Sequence, residues 1–121
     1  MGLKRVRIEL ARSPGFPEGS RRHGYEFVAP LDDEGHLDAA AHRLHKSDCK
    51  VRRFWGDEEE EHGTLIHGRA GWWFDYDSKD EADDEPLFKL DRHTISEGEY
   101  ISVTEHDGKL YAFRVVSVRP F

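Results

Sequence analysis

The 121-residue chain contains a single cysteine, Cys49, and therefore cannot form an intrachain disulfide. Small secreted domains are commonly cross-linked by disulfides, so this scarcity indicates a reducing compartment, and we expect a cytoplasmic protein. No apolar run reaches the length of a membrane-spanning helix. The first residues lead directly into an alternating pattern rather than an apolar signal segment, so no membrane association is expected.

Basic residues are also in short supply, with 18 Lys and Arg against 25 Asp and Glu and a formal net charge of −7. Proteins that bind nucleic acid or anionic membranes generally depend on an excess of positive charge, so neither is expected as a partner. Aromatic residues make up 12% of the chain, which favours a folded protein over a disordered one. The length suits a single domain spanning residues 1–121.

Familiar catalytic and nucleotide-binding motifs are missing. The chain has no Gly-x-Ser-x-Gly, no His-Glu-x-x-His and no Gly-x-x-x-x-Gly-Lys. The segment beginning at Asp75 starts like a calcium loop, but Lys79 occupies a ligand position and Pro86 stands where glutamate is required. The sequence therefore favours a non-enzymatic protein without a cofactor. A small hydrolase or isomerase that uses histidines and carboxylates from the loops is an alternative.

The clearest positive signal lies in residues 99–118, which predict a β-hairpin. Asp-Gly between segments rich in β-branched and aromatic residues is typical of a hairpin turn. A three-residue loop, His106-Asp107-Gly108, places Ile101 and Val103 on the same face as Phe113, whereas a two-residue loop mixes polar and apolar residues on both faces. We therefore predict the three-residue loop.

This loop requires Gly108 in the left-handed region and places Glu105 opposite Lys109, which predicts a cross-strand ion pair. Further short strands are predicted at residues 4–12, 23–29, 50–55, 64–67, 71–76 and 87–90, and a helix at about 36–46. Together these elements predict an α+β protein, mainly antiparallel β. Its architecture would be a small curved sheet or partly open barrel of about seven short strands, with one helix packed on it.

Three polar residues of the predicted helix form a candidate metal site. At 100° per residue, Asp38, His42 and His45 cluster on a lateral, solvent-reaching face, beside an apolar stripe that runs from Leu37 to Leu44. Carboxylate and imidazole are zinc ligands, so we carry a metal- or small-ligand-binding protein as the second hypothesis. The alternative interpretation is a solvated helix face with an Asp–His pair at i,i+4.

The leading hypothesis is a β-rich module that binds an unknown protein or small-molecule partner. Alternation in the fifth predicted strand directs Trp72 inward and Trp73 outward. Trp73 with Arg52 and Arg53 forms a candidate partner-binding surface, because Trp and Arg are enriched in binding hot spots. Burial of Trp73 beneath the helix or a loop is the alternative.

The charges are also distributed unevenly along the chain. Five arginines form a predicted basic end: Arg5, Arg7, Arg12, Arg21 and Arg22. Two acidic stretches, beginning near Asp57 and Asp77, are expected at the opposite end. Such an asymmetry would steer an acidic partner towards the basic end, or would simply keep the protein in solution.

Three segments carry a resemblance to known sequences: Gly24-Tyr-Glu-Phe-Val-Ala-Pro-Leu-Asp-Asp-Glu-Gly-His-Leu-Asp38, Val51-Arg-Arg-Phe-Trp55 and Gly98-Glu-Tyr-Ile-Ser-Val103. Together they resemble a family of small bacterial proteins of unknown function. The resemblance covers most of the chain. It implies no activity, cofactor or site residue.

Overall fold

Alternation of polar and apolar residues through most of the chain produces strands, and the strands close on one another. The computed structural model describes residues 2–68, 71–76, 85–88, 94–105 and 107–121. The strands are β1 (Gly2–Leu10), β2 (Ser20–Leu31), β3 (Lys50–Trp55), β4 (Glu61–Gly68), β5 (Gly71–Tyr76), β6 (Glu85–Phe88), β7 (Tyr100–Thr104) and β8 (Leu110–Pro120). A short helix, α1 (Ala39–Leu44), and a 3-10 helix (Lys46–Asp48) lie between β2 and β3.

All strand pairs are antiparallel, and β8 pairs with β1, so the eight strands form a closed barrel in chain order. The predicted α+β class, mainly antiparallel with a small curved sheet and one helix, is confirmed. Because successive strands alternate in direction, the β1–β2, β3–β4 and β7–β8 loops lie at one end of the barrel, here called the upper end. The lower end carries α1, the 3-10 helix and both chain termini.

The barrel interior is filled by side chains. The predicted inward residues of β1, namely Val6, Ile8 and Leu10, are buried, as alternation requires. Tyr25 lies at the centre, with its ring centroid 5.0 Å from that of Phe74. An eight-stranded barrel is just wide enough for side chains to fill it. The ends of the barrel and its outer wall are therefore the surfaces that can bind a partner.

The carboxy-terminal hairpin has the predicted register. Ile101 pairs with Phe113, and both are fully buried. The Glu105 amide donates to the Lys109 carbonyl at 2.9 Å, and Gly108 has a φ of +80°. The predicted Glu105–Lys109 ion pair is wrong, because the Glu105 side chain is buried inside the barrel while Lys109 is exposed.

The predicted helix is present but shorter, and it faces differently from the prediction. The Asp38 carboxylate accepts a hydrogen bond from the Ala41 amide at 3.0 Å and so begins α1 at Ala39. Leu44, predicted on the apolar stripe, is 81% exposed, and His42, predicted on the solvent-reaching face, is only 2% exposed. Over six residues the apolar stripe is too short to orient the helix. Its N-cap and the contacts of His42 decide the orientation.

Several predictions fall outside the described residues: the loop residue His106, the turn residues Arg69 and Ala70, the acidic segment 77–84, and residues 89 and 90 of the sixth predicted strand. In the part of the chain that is described, no helix has the length and apolar character needed to cross a membrane.

Candidate functional site

An ion pair is buried inside the upper end of the barrel. Arg53 donates from Nη2 to Glu105 Oε1 at 2.9 Å, and the two residues are 4% and 5% exposed. The guanidinium carbon of Arg53 lies 4.6 Å from the centroid of the Trp55 ring. The prediction that Arg53 belongs to an outward surface is therefore wrong. On β3 it shares the inward face with Val51 and Trp55. The period-two alternation of a strand is the sequence feature that predicts this inward position.

The buried carboxyl has an unusual protonation equilibrium. Burial, and to a smaller extent the nearby Asp107 carboxylate, raises the pKa of Glu105 to about 8. The Arg53 guanidinium opposes this rise, because a neighbouring cation stabilises the ionised carboxylate. Glu105 Oε2 is buried and accepts no hydrogen bond from the described residues. Arg53 Nη1 also lies 3.7 Å from Glu58 Oε1, so Arg53 has a second carboxylate nearby, whereas the ionised form of Glu105 is stabilised by Arg53.

Aromatic residues cover this ion pair at the rim. The His23 ring lies 4.7 Å from Phe16 and 4.8 Å from Trp55, measured between centroids. Burial, followed by the Arg22 charge, lowers the pKa of His23. The Ser20 hydroxyl lies 2.6 Å from His23 Nδ1 and also accepts from the Arg22 amide at 3.1 Å. The ring contact with Phe16 holds the β1–β2 loop against the barrel, and the hydrogen bond to Ser20 orients the His23 ring, so His23 and Ser20 have a structural role.

Arg52 lies on the outer wall, as predicted, but it is already engaged. Its guanidinium donates to Glu26 and, at 2.7 Å, to Glu60. Glu26 also accepts from Arg7 at 3.1 Å, and both arginines lie over the Phe54 ring. Burial by itself would raise the pKa of the Glu26 carboxyl, but the hydrogen bonds and charges of Arg52 and Arg7 outweigh it and lower this pKa. Arg52 therefore stabilises a surface network on β1, β2 and β3.

Trp73 faces outward, as predicted, and is partly exposed. Its indole lies over Gly68, where an added Cβ would stand 2.8 Å from the ring. Trp73 is opposite Ile66 on β4, whereas Arg52 is opposite His62. Four residues of strand separate these positions by roughly 13 Å. Trp73, Arg52 and Arg53 therefore do not form one contiguous surface.

The three candidate metal ligands point to different surroundings. Asp38 caps α1, and His42 Nε2 is hydrogen-bonded to the Leu65 carbonyl at 2.7 Å. His45 is exposed, with Nδ1 3.6 Å from Asp48 Oδ2. Within the described residues, no group of three or more His, Cys, Asp or Glu side chains is arranged to hold a metal ion. The metal-binding hypothesis stays a prediction. A zinc titration that leaves the histidine NMR signals unchanged would contradict it.

The predicted separation of basic and acidic ends is wrong. The basic β1–β2 loop and the acidic β3–β4 loop are neighbours at the upper end, where Arg22 contacts Asp57 at 2.6 Å. Positive charge is instead concentrated in a groove on the outer wall. The groove, here called the outer groove, has a volume of about 930 Å³. It is lined by residues 9–12, residues 18–21, and Tyr100, Ala112, Arg114 and Val116.

Two register shifts shape the outer groove. On one side of β1, the pairing passes from Glu9–Gly24 to Leu10–Ser20, so residues 21–23 leave the ladder. On the other side, the β1–β8 register shifts between Arg7 and Ile8, and Val116 is the extra residue. Such bulges bend a sheet and redirect its side chains. The irregular wall that results brings residues 9–21 next to Tyr100 and to residues 112–116, which are distant from them in the sequence.

The arginines of the outer groove differ from the other arginines of the upper barrel. Arg7, Arg22, Arg52 and Arg53 all contact carboxylates. Across the described residues, the guanidinium groups lining the groove take part in no ion pair or side-chain hydrogen bond. These groups belong to Arg12, Arg21 and Arg114, all of which are exposed. In a chain where acids outnumber bases, three unpaired guanidiniums in one groove are a candidate recognition surface.

Comparison of the chain with protein-family models, with curated proteins and with solved structures finds no match. The resemblance to small bacterial proteins therefore stays a prediction. The outer groove was not predicted, although two of its three arginines, Arg12 and Arg21, belong to the predicted basic end. No local pattern links β1, the β1–β2 loop and β8, because their proximity arises from barrel closure.

Proposed function

We propose that this protein is a non-enzymatic binding module that docks a protein partner in the outer groove. The observation that carries the proposal is the set of three exposed, unpaired guanidinium groups in one groove. Arginine and tyrosine are enriched in the residues that dominate protein interfaces. Tyr100 is 53% exposed and lies beside Arg114 on the neighbouring strand. The groove thus contains both of these residue types.

The form of the groove favours a macromolecule over a small molecule. Small-molecule sites enclose most of the ligand surface and are lined mainly by apolar groups. The outer groove lies open on the barrel wall, and charged side chains line it. We expect the partner in the cytoplasm, since the single cysteine is consistent with a reducing compartment.

Charge reversal in the groove tests this proposal. A photo-crosslinking amino acid replaces Tyr100 in the otherwise native chain, and cross-linked proteins are recovered from native cells. The same chain carrying R12E, R21E and R114E is expected to lose the cross-linked partner. Reversal of charge weakens a surface that recognises its partner through guanidinium groups.

A matched control carries R43E, K46E and R119E, three exposed basic residues outside the groove. It changes the net charge by the same amount and is expected to retain the partner. Circular dichroism and thermal unfolding establish that both variants are folded. Equal recovery of the partner from the groove variant and the control would overturn the proposal, as would the absence of any specific cross-link.

A further inference from the structure

We infer that the outer groove recognises an extended, acidic segment of the partner protein, with carboxylates at alternate positions. This inference rests on the proposed function and names the chemistry of its ligand. An extended segment presents alternate side chains on one face, so its carboxylates can all be directed to one wall of the groove. Guanidinium groups bind carboxylates in a planar, bidentate geometry that lysine does not provide.

The charge inside the groove favours an anionic ligand. Three guanidinium groups face two carboxylates, those of Glu9 and Glu18. Of these two, Glu9 is already engaged, since it accepts from Arg7 Nε at 2.7 Å. The positive charge of Arg12, Arg21 and Arg114 therefore exceeds the negative charge available to neutralise it.

The surrounding surface strengthens this selectivity. The β3–β4 loop, also at the upper end, presents four consecutive exposed acids, 57–60, of which Asp57, Glu58 and Glu60 contact the arginines of β2 and β3. An acidic segment is repelled there and attracted by the groove, which fixes where it binds. A basic segment would be drawn to the acidic loop instead. Complementarity of charge thus assigns the groove to an acidic partner.

Small residues, among them Ala11, Gly19 and Ala112, line the groove and leave room for an extended backbone beside its long side chains. Gly19 has a φ of +74°, and an added Cβ would lie 2.5 Å from the Leu10 carbonyl oxygen. A larger residue at this position would strain the loop. The long side chains that line the groove with these small residues are those of Arg12, Arg21, Arg114 and Tyr100.

Nucleic acid is the other anionic ligand that arginines bind, and the net charge argues against it. A chain with a formal charge of −7 repels a polyanion that extends beyond the groove. Binding to phosphates along a nucleic-acid strand requires many cations in a continuous track. Three arginines within one groove suit a short acidic peptide instead.

The test uses the full chain labelled with ¹⁵N and three probes. These are an acetylated, amidated octapeptide of alternating Glu and Val, its Lys–Val counterpart, and an eight-nucleotide oligothymidylate. The Glu peptide is expected to shift the amide signals of Ala11, Gly19 and Ala112. Its apparent affinity should fall at least tenfold in the R12E, R21E and R114E variant. In the R43E, K46E and R119E control it should change less than twofold.

Other outcomes would overturn the inference. If the Lys peptide shifts the same signals equally, the groove does not select acidic residues. If oligothymidylate binds more tightly than the Glu peptide, the ligand is a nucleic acid. If the Glu peptide leaves the groove signals unchanged while the partner still cross-links in a groove-dependent manner, this inference fails and the proposed function stands. Loss of groove-dependent cross-linking itself refutes the proposed function.

Discussion

Each end of the barrel contains a buried polar side chain, but the group that pairs with it differs between the two ends. At the lower end, His42 Nε2 donates to the Leu65 carbonyl at 2.7 Å, and its ring meets the Trp72 ring edge-on with centroids 5.0 Å apart. At the upper end, the buried group is a charged pair, Arg53 and Glu105.

The comparison shows how the nature of the partner decides what a buried polar group does. A backbone carbonyl is always present, so the hydrogen bond at the lower end needs no second side chain. The upper end needs one, because removing either member of a buried ion pair leaves the other without its closest counter-charge. We therefore expect the stability of the upper end to depend on the identity of a second side chain, and that of the lower end not to.

Breaking the ion pair should have the largest effect. At pH 5, E105A removes the carboxyl group that accepts from the buried Arg53 guanidinium at 2.9 Å. This leaves a buried charged donor unsatisfied and should lower the free energy of unfolding by at least about 3 kcal/mol. The double variant R53M/E105L, which replaces both charges by apolar groups, should cost less than the sum of the single changes. Urea unfolding measures both. E99A, at an exposed glutamate, is the control and should change stability by less than about 0.5 kcal/mol. A similarly small change for E105A would contradict this account of the upper end.

The pH dependence of stability sharpens the comparison. The pKa of Glu105 is raised from 4.5 to about 8 in the folded protein. As pH rises through this interval, the unfolded chain releases the proton first, so this residue's contribution to stability falls. Relative to E105Q, the native protein should lose stability between pH 5 and pH 8. Urea unfolding of both proteins at the two pH values provides the measurement. If the native protein instead gained stability relative to E105Q from pH 5 to pH 8, the attraction of the ionised carboxylate to Arg53 would outweigh the cost of burying its charge.

The lower end should respond less strongly. H42A removes the hydrogen bond to Leu65 and the contact with Trp72, and should cost about 1–3 kcal/mol because a buried carbonyl loses its partner. H45A, at an exposed position, serves as the control. If H42A proved more damaging than E105A, the proposed ranking of the two ends would be reversed.

Part of this structure could be predicted because it depends on local rules. The hairpin register follows from the turn at Gly108, and the inward face of β1 follows from strict alternation of Val6, Ile8 and Leu10. The same alternation places Arg53 inside the barrel, whereas its charge favours an exposed position. That prediction failed because a counter-charge from β7–β8, Glu105, makes burial possible.

The candidate site was less predictable. The outer groove combines the end of β1, the β1–β2 loop and β8, and its two register shifts leave no recognisable local pattern. The orientation of α1 was likewise decided by a distant contact, the hydrogen bond from His42 to Leu65. Both features depend on strands that meet only after the barrel has closed.

The sequence by itself determined the strands, their inward and outward faces and the register of the last hairpin, because period-two alternation and turn chemistry act between near neighbours. Tertiary structure alone decided which charged residues are buried together and which remain unpaired on the surface. The reason is physical: an ion pair or a groove is defined by distances between side chains, and barrel closure sets those distances for residues far apart in the chain.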